Sequence, residues 1–353
     1  MHLCFHSTRA IRALLLSAFA VAALSGLRPS AADGQTFTST LHSEYQEVFD
    51  DGDSKWWSER PFPPRYPIEI IGVVINNSRD MLYYSDDPAS PYYSDDPQWQ
   101  VFFQATEDAK AADDFGGTAI YMRRYHPMTS VDLFPGAEWA EEMDRLNFPV
   151  YTVTGEKVTE PLQRGDLIKV EAKAPGMFFR GKNNVNTRHT SDPLNEFTIT
   201  ILERGVPLVA PLITLADLKD ANDDFIFDEF RQYGCEHYQA SLVRLEDLLL
   251  DDDPANWFLY NTVNVRQGDR TFPMQLGLDP ALVAIDASTL LTTPFHVTAI
   301  LNQEDASYPY TGTYSLWLTS AMDLTVVPEP GTGVLAILGV TVAILLGRRR
   351  RRR

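Results

Sequence analysis

Residues 167–174 read Leu-Ile-Lys-Val-Glu-Ala-Lys-Ala. Ile168, Val170, Ala172 and Ala174 fall on one side of an extended chain, and Lys169, Glu171 and Lys173 on the other. Successive side chains of a strand point to opposite faces, so this period of two predicts a strand with one face on a core and one in water. Gly165-Asp166 just before it is a turn signal. Working outward, Phe197, Ile199 and Ile201 repeat the alternation, and upstream lie the β-branched run Ile68–Ile75, then Trp99–Phe103 and Thr118–Tyr121. About five strands are therefore expected before residue 205.

The pattern breaks over 206–236. Pro207 and Pro211 open this stretch, and Thr214-Leu215-Ala216-Asp217 has the spacing of a capping box with Asp in place of Glu, which predicts a short helix. A second strand set follows. In Tyr238–Leu245, Leu242 and Arg244 share one face, and Val243 and Leu245 the other. In Trp257–Arg266, Val263 and Val265 oppose Asn264 and Arg266; Phe295, Val297, Ala299 and Leu301 oppose His296 and Thr298. Phe272–Leu276, Tyr314–Leu318 and Leu324–Val327 complete the set. The expected fold class is all-β, as two tandem five-stranded barrels joined by a short helical linker, with a two-sheet β-sandwich as the alternative. Gly165–Val170 and Phe295–Ile300 resemble the fourth strand of OB-fold-like modules, and Tyr238–Glu246 resembles a first strand. The resemblance implies OB-like barrels over most of 66–327.

The two ends carry a different signal. His2, His6, Arg9 and Arg12 precede a short apolar run, Ala13–Leu24, and Ser30-Ala31-Ala32 supplies small residues for cleavage before Asp33. This is the order of a secretory signal. At the other end, Val327-Pro328-Glu329-Pro330-Gly331 leads into Thr332–Gly347, which has no charge, and then into Arg348, Arg349, Arg350, Arg351, Arg352 and Arg353. As a helix the apolar stretch is about 25 Å long, and arginines reaching to the interface extend its span. Basic residues stay on the cytoplasmic side, so the body is expected to face outward. Residues 327–353 resemble the PEP-CTERM sorting signal of Gram-negative bacteria. That resemblance implies Pro328, Glu329 and Pro330 as the motif recognised by an exosortase, a membrane cysteine transpeptidase. The expected localisation is export, anchorage in the inner membrane before processing, and then the cell surface or extracellular matrix.

The chain of 353 residues holds 30 basic and 48 acidic residues. Without Arg9, Arg12, Arg28, Glu329 and the six terminal arginines, 21 basic and 47 acidic residues remain, a body charge of −26. A field of that sign repels phosphate backbones, so nucleic acid is not an expected partner. Cys4 leaves with the signal and Cys235 has no partner in the chain, which excludes a structural disulfide and a Cys-rich metal site.

No residue pattern nominates a catalytic, cofactor or metal site. There is neither a G-x-S-x-G elbow nor an H-E-x-x-H pair, and His42, His126, His189, His237 and His296 are scattered. Tyr83-Tyr84-Ser85-Asp86-Asp87-Pro88 recurs as Tyr92-Tyr93-Ser94-Asp95-Asp96-Pro97. Four carboxylates there have the chemistry of a Ca²⁺ loop but not the EF-hand order, and read as a duplicated, solvated loop. Asp223-Asp224 and Asp251-Asp252-Asp253 read the same way. Gly176–Asn183 nearly matches a phosphate-binding loop, but Asn183 lacks the hydroxyl and the segment lies between strands, so a hairpin is expected. Trp56 and Trp57 read as core aromatics rather than a sugar platform.

The expected organisation is a signal peptide (1–32), a leading segment (33–66), a first barrel-like domain (67–205), a linker (206–236), a second barrel-like domain (237–327) and a sorting segment (328–353) with a transmembrane helix at 332–347. The expected function is a surface or matrix protein with non-catalytic binding modules, with an extracellular polysaccharide as the ligand class considered. The alternatives are a secreted hydrolase or its accessory domain, and a structural spacer.

Overall fold

A computed structural model of the chain describes residues 36–58, 67–110, 113–126, 129–151, 157–174, 176–186 and 197–327. The fold is mostly β. Nine strands make the first sheet: β1 (Thr38–Ser39), β2 (Ile68–Val74), β3 (Gln98–Gln104), β4 (Gly117–Arg123), β5 (Val150–Tyr151), β6 (Leu167–Ala172), β7 (Met177–Phe179), β8 (Lys182–Val185) and β9 (Phe197–Glu203). Their order is β5-β9-β6-β2-β3-β4-β8-β7, with β1 beside β2. β6 buries Ile168, Val170 and Ala172, while Lys169 on its outer face meets Glu69 and Glu171 at 3.4 and 3.0 Å. One helix, α1 (Glu138–Asn147), packs Trp139, Met143 and Leu146 into the same core. Tyr45 and Trp56 of the leading segment join that core, whereas the side chain of Trp57 lies outside the described residues.

The second sheet comprises β10 (Leu212–Ile213), β11 (Leu242–Leu250), β12 (Thr262–Gln267), β13 (Arg270–Leu276), β14 (Phe295–Gln303), β15 (Tyr314–Leu318) and β16 (Leu324–Val326). β11, β12, β13, β15 and β14 follow one another and β14 pairs back onto β11, which closes a five-stranded barrel. β12 and β13 are joined by the two-residue turn Gly268-Asp269, with Gly268 at φ +62°. Val243, Leu245, Val263, Val265, Phe272, Met274, Val297, Ala299, Leu316 and Leu318 fill the interior.

Two features differ from the expected pair of closed five-stranded barrels. The first sheet has nine strands, and among the described residues its pairings run as an open path; the β7–β8 hairpin occupies the free side of β4. The segment 206–236 is more than a linker: β10 pairs with β11, and Ile213, Leu215, Leu218 and Cys235 lie in the barrel core. Thr214 and Asp217 do form a reciprocal capping box, on the 3₁₀ turn Leu215–Asp217. Among the described residues no helix is long and apolar enough to cross a membrane. The proposed transmembrane helix at 332–347 lies outside them.

Both sheets belong to one compact unit. Leu242, Ile300 and Trp317 point out of the barrel, yet all three are buried, because Ile75, Phe102, Ala119 and Tyr121 of the first sheet cover them. The backbones meet as well. The Gly117 N–H donates to the Gln239 carbonyl at 3.0 Å, and a Cβ on Gly117 would lie 2.1 Å from the Ala240 oxygen. The Leu242 N–H donates to the Gln104 side chain at 2.9 Å. Replacing Leu242 with Ala should therefore cost about 2–5 kcal/mol, the range of a core truncation. Urea unfolding would read this as a lowered midpoint; a loss below about 0.5 kcal/mol, typical of a surface site, would contradict the buried junction.

Candidate functional site

The junction between the sheets is sealed at one end and opens into a cleft of about 370 Å³ at the other. Strand periodicity decides what lines it. On β3, Trp99, Val101 and Phe103 enter the first core, so Gln98 and Gln100 face the barrel. On β4, Ile120 and Met122 point inward and Tyr121 and Arg123 point to the cleft. On the barrel, the alternation that buries Met274 and Leu316 turns Gln275 and Trp317 outward into the same space. Tyr260, in the β11–β12 connection, and Phe179, on β7, complete an aromatic lining.

Several polar groups here have no protein partner. The Tyr121 hydroxyl donates to Gln98 Oε1 at 2.7 Å. By contrast, the side-chain amide of Gln100, a residue 4% exposed, makes no hydrogen bond, and neither does the amide of Gln275. The indole N–H of Trp317 is buried and unpaired. Buried polar groups are normally satisfied, and an unmade bond costs roughly 1–3 kcal/mol. One buried unpaired donor on Trp317 and two unbonded amides, on Gln100 and the half-buried Gln275, share one aromatic-walled space, a surface suited to a ligand that both donates and accepts hydrogen bonds.

The charged wall comes from the β7–β8 hairpin. Arg180 and Gly181 form its turn at φ +54° and +85°. Both central residues of a type I′ turn need positive φ, and a Cβ at Gly181 would lie 2.2 Å from Gln303 Oε1, so glycine is required there twice over. This turn sets Arg180 and Lys182 on the cleft. Lys182 is buried, and its ammonium donates to the Gln303 carbonyl and to Glu304. Glu304 also accepts from Arg180 at 2.9 Å and from Asn302 at 2.9 Å. Burial alone would raise the Glu304 carboxyl; Lys182 and Arg180 outweigh it and hold the group below its ordinary range. Burial lowers Lys182, against the pull of Glu304. Glu304 is the one carboxylate among the described residues lining the cleft, and no histidine lines it.

The other residues singled out from sequence are engaged elsewhere. In the duplicated loop, Asp86 and Asp132 both pair with Arg124, Asp96 pairs with Arg123 at 2.9 Å, and Asp95 accepts from the Tyr93 hydroxyl. The two copies dock on the end of β4 through these pairs. A shallower depression beside them is lined by Asp95, Asp96 and His126. Among the described residues no group of three or more acidic, His or Cys side chains could hold a metal ion. Asp223 bonds Thr271, and Asp252 and Asp253 cap the turn at Pro254–Asn256. Gly176–Asn183 folds as the β7–β8 hairpin. Cys235 is a free, buried thiol held against the Leu218 carbonyl, and burial pushes its pKa up. Pro328, Glu329, Pro330 and Arg348 to Arg353 lie outside the described residues, as does His189. The cleft residues carried one faint sequence signal, the alternation Gln98-Trp99-Gln100-Val101 on β3, in which the amides look like ordinary solvent-facing positions. No protein family, characterised protein or solved structure matches the chain.

A buried polar cluster lies behind the cleft. The Tyr314 hydroxyl donates to Glu236, and Arg231 is enclosed beside it. Burial lifts the Glu236 carboxyl to about 7, against Arg231 and Tyr314, which pull it down. The folded chain thus keeps a proton that the unfolded chain releases between its ordinary 4.5 and about 7, so this group makes stability fall as pH rises through that window. His42 acts oppositely: burial depresses it from 6.5 to about 4, and its effect is lost stability as pH falls through that range. Glu236→Gln removes only the first effect. Its urea-derived stability relative to the parent should climb between pH 4.5 and 7 and level off above, by at most about 3 kcal/mol. A gap that stayed constant across that range would refute the buried, protonated Glu236.

Proposed function

We infer that the chain is an exported, membrane-sorted surface or matrix protein whose inter-sheet cleft binds an extracellular saccharide without catalysis. The termini support the location. The signal-like residues 1–32 and the PEP-CTERM-like order of Pro328, Glu329 and Pro330, an apolar stretch and Arg348–Arg353 point to export and to an exosortase as processing partner. The body's charge speaks against nucleic acid as the ligand.

The barrel supports an OB-like reading. Three strands meander, a short helical stretch crosses, and the fifth strand, β15, lies parallel to the third, β13. In the first sheet, β2, β3, β4, α1, β6 and β9 follow a similar course, with the β7–β8 hairpin inserted before the last strand. OB-like barrels use the face of their second and third strands for oligosaccharides and oligonucleotides. Here β3 and β4 of one half, and β13 of the other, turn such faces toward each other across the cleft.

The observation that carries the binding reading is the set of unpaired Gln100, Gln275 and Trp317 polar groups beside aromatic rings. Side-chain amides meet sugar hydroxyls as donor and acceptor at once, and rings cover the apolar faces of sugars. The cleft gathers amides and rings rather than a carboxylate pair or a carboxylate–histidine pair, which favours binding over hydrolysis.

Gln100→Leu separates binding from folding. The amide makes no bond to lose, so the thermal midpoint should stay level or rise, while affinity for matrix oligosaccharides on a glycan array and by calorimetry should drop at least tenfold. Unchanged affinity would remove the cleft as the binding site. In the source cells, the processed body should be recovered from the surface or surrounding matrix. Recovery in the cytosol with both ends intact would defeat the export reading.

A further inference from the structure

We propose that the saccharide taken by this cleft is acidic, carrying one anionic group per bound unit, a uronate carboxylate or a sulfate ester, which seats against Arg180 and Lys182. This deepens the saccharide reading above and rests on it.

The first argument is charge. The acidic and basic groups lining the cleft are Arg123, Arg180, Lys182 and Glu304. Arg123 is neutralised by Asp96. Glu304 balances one of the two remaining cations, so the hairpin wall keeps a single uncompensated positive charge. This occurs in a chain of net charge −18. Screening limits the reach of the acidic exterior to about 8 Å at physiological salt, so an anion already in the cleft responds chiefly to the charges lining it. One extra positive charge suits a monoanion.

The second argument is the state of the donors. Lys182 is 2% exposed, and its ammonium spends two contacts on the Gln303 carbonyl and Glu304, leaving one of three N–H groups. A buried ammonium is costly unless it is fully paired. Arg180 uses its Nη1 on Glu304 and keeps its remaining donors, with its side chain 45% exposed at the cleft wall. Glu304 thus already shows how a carboxylate sits here, bridging Lys182, Arg180 and Asn302. A second anion would share the free edges of the same two cations.

The third argument is preorganisation. The type I′ turn, the Gly181 approach to Gln303 and the edge contact of Phe178 with Tyr310 at 5.2 Å hold the hairpin against the barrel. Cations fixed before binding lose little freedom on meeting an anion. The amides of Gln100 and Gln275 line the same cleft and are left for hydroxyls.

The test compares ligands on full-length protein by calorimetry: a galacturonate oligomer, the same oligomer with its carboxyls reduced to alcohols, and a sulfated galactose oligomer. The acidic oligomers should bind at least tenfold more tightly than the reduced one, and whichever acidic arm is tighter identifies the anion. Arg180→Asn, a residue that tolerates the left-handed turn, should erase the preference for the acidic arm, lowering affinity for the acidic oligomers at least tenfold more than for the reduced one. Equal binding of acidic and reduced oligomers would overturn the proposal while the cleft remained a saccharide site. Binding of none of the three would overturn both. A preference that survived Arg180→Asn would place the anion elsewhere and also overturn it.

Discussion

The dry contact between the closed barrel and the open sheet governs everything else in this molecule. Leu242, Ile300 and Trp317 leave the barrel on its outer side and are buried only because Phe102, Ala119 and Tyr121 arrive from a sheet far away in sequence. Side-chain burial alone would permit sliding. The backbone contact of Gly117 with Gln239 and Ala240 and the Gln104 bond to Leu242 fix the register. A junction fixed in this way can hold a cleft at its margin with settled geometry, because most of its lining residues sit on strands.

Polar groups at this junction divide into two kinds. Gln104 and Gln239 help hold the halves together: Gln104 accepts from the Leu242 N–H, and the Gln239 amide donates to the Gly181 carbonyl and to the Gln303 side chain. Gln98, Gln100 and Gln275 carry the same chemistry, yet the last two are left without partners. The same residue type serves as glue at the sealed end and as an unfilled hydrogen-bonding surface at the open one. Position along β3 decides which: Gln104 reaches β11, whereas Gln100, four residues earlier, looks into space.

Much of the strand pattern was legible in the sequence, because period-two alternation is a local property. β6, β9, β12 and β14 can be read from Ile168, Ile199, Val263 and Val297 and their polar neighbours. Leu242 shares its face with Arg244, and nothing local says that one end of that face will be covered by the other sheet while the other is left open. The open form of the first sheet depends on where the β7–β8 hairpin lodges, which is a long-range matter. In α1, Trp139, Met143 and Leu146 recur at helical spacing, a signal overshadowed by the strands around it. The cleft was illegible for the same reason as the junction: its residues lie on β3, β4, β8, β13 and β15, and each amide, taken alone, is an ordinary surface side chain.

One further consequence lies at the margins of the sheets. The strands that end them, β5 and β7 in the first and β10 and β16 in the second, are only two or three residues long. A terminal strand is where a neighbouring molecule can add its own backbone, and a two-residue stub offers too few unpaired groups to recruit one. Among the described residues, the terminal strands therefore offer crowded copies only short templates for stacking into fibres.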